Sequence, residues 1–274
     1  MGRGLINLGN TCYFNSALQC LFQTPQLTNL LMHRGEYTGE CEFTKEYQRL
    51  SKEMWSGGGT TPLEPKKLLE VFQGLYPTFK DGRQQDAQEV YLCVLDILSK
   101  SLGQFVKDVF YRPTVQETLC KSGKSVRNSE TNIVMLEGGG GTVEDLYNKC
   151  HGGGYSTVDG GYTDDAGVTH PVAATRTIFQ DNKPPVILAM TFKSYHRKTK
   201  ITLTDTFLDG QYQLYATCIH TGSVHGGHYV ACVKHRGTWY LKDDGSPPLE
   251  LKTFPETDYH YLFFYKRINK TKTK

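Results

Sequence analysis

Cys12 is the residue whose placement asks for chemistry. It follows Gly9, Asn10 and Thr11, a glycine turn and two helix-capping residue types, and apolar residues at 14, 17, 18, 21 and 22 mark the helix after it. A helix needing only a start would be content with Asn10 or Thr11 as N-cap. A cysteine next in line sets its sulfur at the helix N-terminus, where the macrodipole and free N–H groups favour an anion. The spacing therefore predicts a thiol that ionises readily and acts as a nucleophile. The common fate of a free cysteine is burial, and that reading suits Cys20 and Cys93 on apolar helix faces and Cys218 and Cys232 within strands.

A cysteine nucleophile needs a base, and the base needs an orienting partner. Among nine histidines, His228 stands apart in "GSVHGGHYVACV". It begins a strand directly after Gly226 and Gly227, which carry no side chain to block a substrate backbone. The next strand, "TWYLKDD", supplies carboxylates. A two-residue loop at Arg236-Gly237 pairs His235 with Thr238 and puts Asp243 on the face of His228, diagonally across at ~7–8 Å. A three-residue loop would shift the pairing by one and present Asp244 instead. Asn7, five residues before Cys12, is either an Asx-turn residue or an amide donor to the oxyanion of a tetrahedral intermediate; spacing leaves both open.

The elements that must position these groups fall into thirds. The first hundred residues read as helical. A helix over 11–23 is stopped by Pro25, "TPLEPKKLLEVFQGLYP" opens on a capping-box pattern at Thr61, Pro62 and Glu64, and "QQDAQEVYLCVLDILSKSLG" repeats apolar residues up to a C′ glycine at Gly103. From 105 to 177, short β-like pieces ("FVKDVFY", "TNIVMLE") alternate with glycine runs at 138–141 and 152–154, an extended, mobile excursion with little core of its own. The last hundred residues read as antiparallel strands: "VILAMTF", "YQLYATCIH", "HYVACVKH", "TWYLK" and "YHYLFFYK". Helices first and strands later give an α+β fold with a cleft where the halves meet.

Bulk properties narrow the function classes. In 274 residues, 38% hydrophobic content supports a sizeable core, and a net charge of +3 spread along the chain speaks against nucleic-acid binding. Only the tail "KRINKTKTK" is locally basic. No segment has the length of a membrane span, there is no apolar signal core, and "MGRGLI" fails the myristoylation pattern. Eight cysteines without a CxxC pair or disulfide-framework spacing predict free thiols and an intracellular location, in cytoplasm or nucleus.

Three stretches together resemble the catalytic domain of the ubiquitin-specific proteases: "GLINLGNTCYFNS" (4–16), "QQDAQEV" (84–90), and "HTG…HGGHYVACV" (220–233) followed by "WYLKDD" (239–244). The resemblance implies a papain-like fold with a helical thumb (1–104), divergent β-rich fingers (105–177) and an antiparallel palm (178–274) ending in the basic tail. It implies Cys12 as nucleophile, His228 as general base, Asp243 as its orienter with Asp244 beside it, and Asn7 at the oxyanion. Asp86 would meet the basic tail of ubiquitin, and Gly226 and Gly227 would border a narrow channel for its Gly-Gly end. The implied reaction is hydrolysis of the (iso)peptide bond after that diglycine, by a monomer acting on ubiquitin and ubiquitinated proteins without a cofactor.

This chain departs from the family at several positions. The two CxxC pairs of a zinc ribbon are each reduced to one cysteine, Cys120 with Gly123 and Cys150 with Gly153, so no metal site is expected. Lys242 replaces the usual aromatic before the aspartate pair, and Cys232 a common tyrosine. Three rivals accompany this reading. The first is a protease for another Gly-Gly-ended modifier. The second is a non-catalytic ubiquitin-binding scaffold, against which the intact Cys12, His228, Asp243 and Asn7 argue. The third is a metalloprotein using "HGGH" at 225–228, which lacks an accompanying HExxH or dense Cys/His cluster.

Overall fold

The structure is a computed structural model describing residues 2–33, 35–57, 59–137, 140–151, 154–158, 160–180, 183–192, 201–223 and 226–268. Six helices come first: α1 (Cys12–Phe22), α2 (Pro25–His33), α3 (Glu42–Trp55), α4 (Lys66–Leu75), α5 (Ala87–Leu102) and α6 (Gln104–Phe110). Strands β1 (Arg112–Cys120), β2 (Gly123–Thr131) and β3 (Ile133–Leu136) precede α7 (Val143–Cys150). Short strands β4 (Ser156–Thr157), β5 (Tyr162–Thr163) and β6 (Thr169–His170) lead to β7 (Ala173–Phe179) and β8 (Ile187–Phe192). The chain continues through β9 (Thr206–Phe207), β10 (Tyr212–Ser223), β11 (Gly226–His235), β12 (Thr238–Lys242), β13 (Leu249–Leu251) and β14 (His260–Arg267).

The palm is one sheet in the order β13-β12-β11-β10-β14-β8-β3, with β9 on β10; all its pairings are antiparallel except β3 with β8. Side chains alternate across its faces. Ile187, Ala189, Ala216, Ala231, Val233, Leu262 and Phe264 join the thumb helices in one core. Leu188, Met190, Phe192, Cys232, Phe263 and Tyr265 join Val134, Leu136, Val143, Leu146 and Tyr147 in a second. Both faces are covered, which explains why these strands are apolar runs and not half-polar ones. Helix α1 lies against β11, β10 and α5. All eleven of its residues are buried, so its polar side chains must find partners inside: Gln19 Nε2 donates to Arg3 O at 2.9 Å, and Ser16 Oγ to Tyr13 O at 3.1 Å.

Several local expectations change. "FVKDVFY" is helical, as α6: Gly103, with φ of 70°, ends α5, and Val106, Val109 and Phe110 then present a helical stripe to the first core. Pro25 does not merely stop α1; its fixed φ suits the first turn of α2. Helix α4 starts at Lys66 and not at the Thr61 box, because Leu63 is engaged elsewhere: its N–H donates to Gly4 O and its carbonyl accepts from Ile6 N, each at 2.9 Å. The middle third is also better built than its glycines suggest. β3 and α7 sit in the second core, and α7 carries a full capping box between Thr142 and Asp145. The remainder forms a sheet β2-β1-β7-β4 and the pair β5-β6. Of the glycine runs, 138–139 and 152–153 lie outside the described residues.

Candidate active site

The turn before α1 is set by backbone conformation. Gly9 and Asn10 have φ of 98° and 52°, and Asn10 Nδ2 donates to Gly82 O at 3.0 Å. Thr11 occupies the N-cap position but does not cap: its hydroxyl instead accepts from Leu8 N at 2.9 Å and donates to Asn7 Oδ1 at 3.2 Å. The first-turn N–H groups are thus left to the sulfur, and those of Cys12 and Tyr13 reach it. The backbone N–H of Tyr229 on β11, next in sequence to His228, likewise favours the charged sulfur. Cys12 is only 2% exposed. Burial dominates and pushes the thiol above its ordinary value, with the Asp244 charge adding to the rise and the three N–H groups opposing it. The readily ionised thiol expected from helix position is not what the ligand-free chain presents: desolvation outweighs the helix terminus.

His228 and its partner follow from hairpin register. Arg236 and Gly237, with φ of 50° and 88°, form the two-residue turn, His235 faces Thr238, and the ladder runs to Ala231 opposite Lys242. Just beyond it, Asp243 Oδ1 lies 2.7 Å from His228 Nε2. With Nε2 taken by the carboxylate, Nδ1 is the nitrogen left for a proton transfer. Asp244 comes within 4.8 Å of the same pair but is held by other partners. Its carboxylate accepts from Asn7 Nδ2 at 2.7 Å and from Asn15 Nδ2 at 2.8 Å, and its carbonyl from Leu5 N at 2.8 Å. Asn7 is an Asx-turn residue. Its Oδ1 accepts from Gly9 N at 3.0 Å and Thr11 N at 3.1 Å as an Asx turn does, which fixes the amide and leaves one N–H uncommitted among the described contacts.

A pocket of about 210 Å³ opens beside this cluster, lined by Gln84, Gln85, Asp86, Glu89, His220, Ser223 and Tyr229. Asp86 is the N-cap of α5: one carboxylate oxygen accepts from Gln88 N at 2.7 Å, the other from the Tyr261 hydroxyl at 2.6 Å. The Gln84 amide pairs with both the N–H and the carbonyl of Gly227. A Cβ on Gly227 would lie 2.6 Å from His220 Nε2, whereas one on Gly226 would meet nothing within 4 Å. Sequence reasoning missed Gln84, Asn15 and Tyr261. Gln84 and Asn15 stand inside the boxes it used, but Tyr261 gives no signal beyond its strand. A larger cavity of about 400 Å³, lined by Leu203, Leu214, Phe254 and His260 among others, lies on the second face of the palm, away from these groups.

Cys120 ends β1 with its sulfur 3.1 Å from Ser122 Oγ, and Cys150 ends α7 with its sulfur 3.8 Å from Ser156 Oγ; they share no ligand cluster among the described residues. The described donors that do converge are His228, Asp243 and Asp244, all engaged as above. His225 of "HGGH" lies outside the described residues, as does Gly153. Among the described residues, no helix is long and apolar enough to cross a membrane.

A helix bearing a cysteine at its start, packed on an antiparallel sheet whose contacting strand carries a carboxylate-held imidazole, is the layout of the papain-like fold. Comparison with known proteins narrows this. The profile of the ubiquitin carboxyl-terminal hydrolase (UCH) family matches residues 3–265, and the chain belongs to that family. Mouse ubiquitin carboxyl-terminal hydrolase 4 is 37% identical over 120 residues, 40% of this chain but only 12% of the relative. Usp2 of Drosophila melanogaster is 38% identical over 108 residues, 38% of this chain and 11% of the relative. The chain thus aligns with a small part of these relatives. Among solved structures, the SAGA Ubp8/Sgf11/Sus1/Sgf73 DUB module bound to ubiquitin aldehyde matches with a TM-score of 0.75 and 19% identity, over 98% of this chain and 70% of that one.

Proposed function

We propose that the chain is a cysteine-type deubiquitinase that hydrolyses the (iso)peptide bond after the C-terminal Gly-Gly of ubiquitin. One observation carries the reading: α1 packs Cys12 against β11, where the backbone of Tyr229 favours the thiolate and the adjacent His228 is held by Asp243 at 2.7 Å. In this mechanism His228 Nδ1 takes the thiol proton, and the imidazolium so formed is stabilised by Asp243. The thiolate adds to the scissile carbonyl. The free Asn7 N–H and the Cys12 backbone N–H face the developing oxyanion, with Asp244 and the Asx turn keeping Asn7 in place. His228 returns the proton to the leaving amine, and water hydrolyses the thioester by the same base. A thiol held protonated until substrate arrives agrees with its burial.

Asp86, Gly226 and the 210 Å³ pocket offer the ubiquitin tail a carboxylate and an unobstructed edge. The aldehyde in the neighbour's complex is an electrophile of the kind such a thiol would attack. The helices through α5, the sheet built on β1 and β2, and the sheet from β8 to β14 support a thumb over 1–104, fingers within 105–177 and a palm over 178–274, which β3 and α7 of the middle third join. Eight free cysteines suit an intracellular setting. Cys12→Ala should abolish cleavage of a ubiquitin C-terminal fluorogenic amide while ubiquitin binding survives; hydrolysis near the wild-type rate would overturn the proposal. Labelling with electrophile probes built on ubiquitin and on other Gly-Gly-ended modifiers identifies the modifier by which probe reacts.

A further inference from the structure

Lys242 is a lysine where burial is expensive. It ends β12 at 4% exposure, and no carboxylate pairs with it among the described residues. Its Nζ donates to the backbone carbonyls of Gly2 and Arg3, the latter at 3.1 Å. Burial pushes the ammonium down to about 7. Even as a neutral amine it retains two N–H donors for those two carbonyls. An apolar side chain could fill the same space without leaving a desolvated nitrogen, so the polar contacts are what distinguish lysine here.

The segment it grips leads straight into the site. Arg3 N–H donates to Met54 Sδ at 2.9 Å, and Gly4 fits so closely that a Cβ would lie 2.6 Å from Asp244 O. Leu5 N donates to the same Asp244 carbonyl at 2.8 Å, and Asn7 to the Asp244 carboxylate at 2.7 Å. Three consecutive residues therefore hold three parts of one assembly. Lys242 secures residues 2–3, Asp243 secures His228, and Asp244 secures Leu5, Asn7 and Asn15.

We propose that Lys242 is a positioning residue of the active site, which fastens the Gly2–Arg3 backbone to β12 and through that strap fixes Asn7 and the Asp243–His228 pair. The inference rests on the hydrolase reading above. Losing the side-chain contacts frees the strap at its root, and small displacements of groups that must meet a transition state are costly in rate. Such a residue acts on kcat and not on KM, because the ubiquitin-facing pocket beside Asp86 does not touch it.

The test uses Lys242→Met, Lys242→Gln and a chain lacking residues 1–3, which keeps Lys242 but removes both acceptors. Hydrolysis of the ubiquitin fluorogenic amide is measured to saturation, with Tm and the rate of labelling by a ubiquitin C-terminal electrophile beside it. Lys242→Met and the deletion should each lower kcat and the labelling rate by roughly 10-fold with KM within about twofold. Lys242→Gln, which restores amide N–H donors, should recover part of the loss. Wild-type kcat in either Lys242→Met or the deletion, whatever its Tm, overturns the proposal, as does a loss confined to KM. Wild-type protein that neither hydrolyses nor labels overturns the hydrolase reading itself, and this one with it.

Discussion

Gly226 and Gly227 look alike in sequence, but the structure gives them different roles. On Gly227 a new Cβ would lie 2.6 Å from His220 Nε2, 3.1 Å from Gly222 Cα and closer still to the Thr221 carbonyl. Ordinary contact begins near ~3.5 Å, so β10 and β11 must part by roughly 1 Å at that point. The Thr221 carbonyl is backbone and cannot rotate aside. Overpacking of this kind costs about 1–3 kcal/mol of stability. Its effect on rate follows from position: the next residue is His228, and a displacement of ~1 Å at a reacting group costs up to about 100-fold. Gly227→Ala should therefore lower Tm and cut kcat by roughly 10–100-fold. Gly226→Ala meets no atom within 4 Å and should leave Tm and kcat unchanged, raising only KM where the added methyl borders the substrate path. Steady-state hydrolysis of the ubiquitin amide and thermal melts of the three proteins decide it. Wild-type kcat and Tm in Gly227→Ala, or equal damage from Gly226→Ala, would refute the reasoning.

Four further outcomes follow from named contacts. Asp243→Ala should lose far more kcat than Asp244→Ala, because Asp243 holds the His228 imidazole whereas Asp244 acts through Asn7 and Asn15; the reverse ranking would contradict the division. Asp86→Asn keeps an N-cap acceptor but removes the charge, so KM for ubiquitin should rise with Tm nearly intact, while Asp86→Ala should also lose about 1 kcal/mol of stability; unchanged KM in Asp86→Asn would make Asp86 purely structural. Glu117, held down to about 2 by Lys124, Tyr155 and Arg176, stabilises the fold above the unfolded carboxyl value of ~4.3 and loses that contribution as pH falls towards 2. Glu117→Gln should accordingly flatten the acid limb of Tm across that window, and an unaltered limb would remove Glu117 from the account. Cys120 and Cys150 share no ligand cluster among the described residues, so EDTA should leave Tm unchanged, and a chelator-sensitive melt would reveal a bound metal.

What could be read from the sequence was local. Counting from the Arg236-Gly237 turn puts Asp243 on the face of His228 for a two-residue loop and Asp244 for a three-residue one, and the family resemblance chooses between them. The apolar runs of β8, β10, β11 and β14 were visible because both faces of the palm are buried. Other features depend on what arrives from a distance. The protonation of Cys12 is decided by the palm closing over it, which no helix rule contains. Asn15 is an ordinary helix residue until Asp244 meets it, and Tyr261 an ordinary strand residue until Asp86 does. The β1–β2 hairpin escaped because its polar side chains, among them Gln116, Glu117, Lys124 and Arg127, show no alternation. α6 reads as a strand in the sequence because seven residues hold too little periodicity to separate the two.

Asn7 donates to a carboxylate 237 positions further along the chain, and that separation has a meaning in time. During synthesis the thumb helices are complete long before Asp243 and Asp244 exist. At ~5–20 residues per second, Cys12 leaves the peptidyl transferase centre roughly 10–50 s before its base has an orienter. Until then, on the proposed mechanism, the nascent chain carries the thiol without the carboxylate that holds its base. The long-range pairing that slows folding thus also orders assembly, since on the proposed mechanism the site closes only after β12 has emerged.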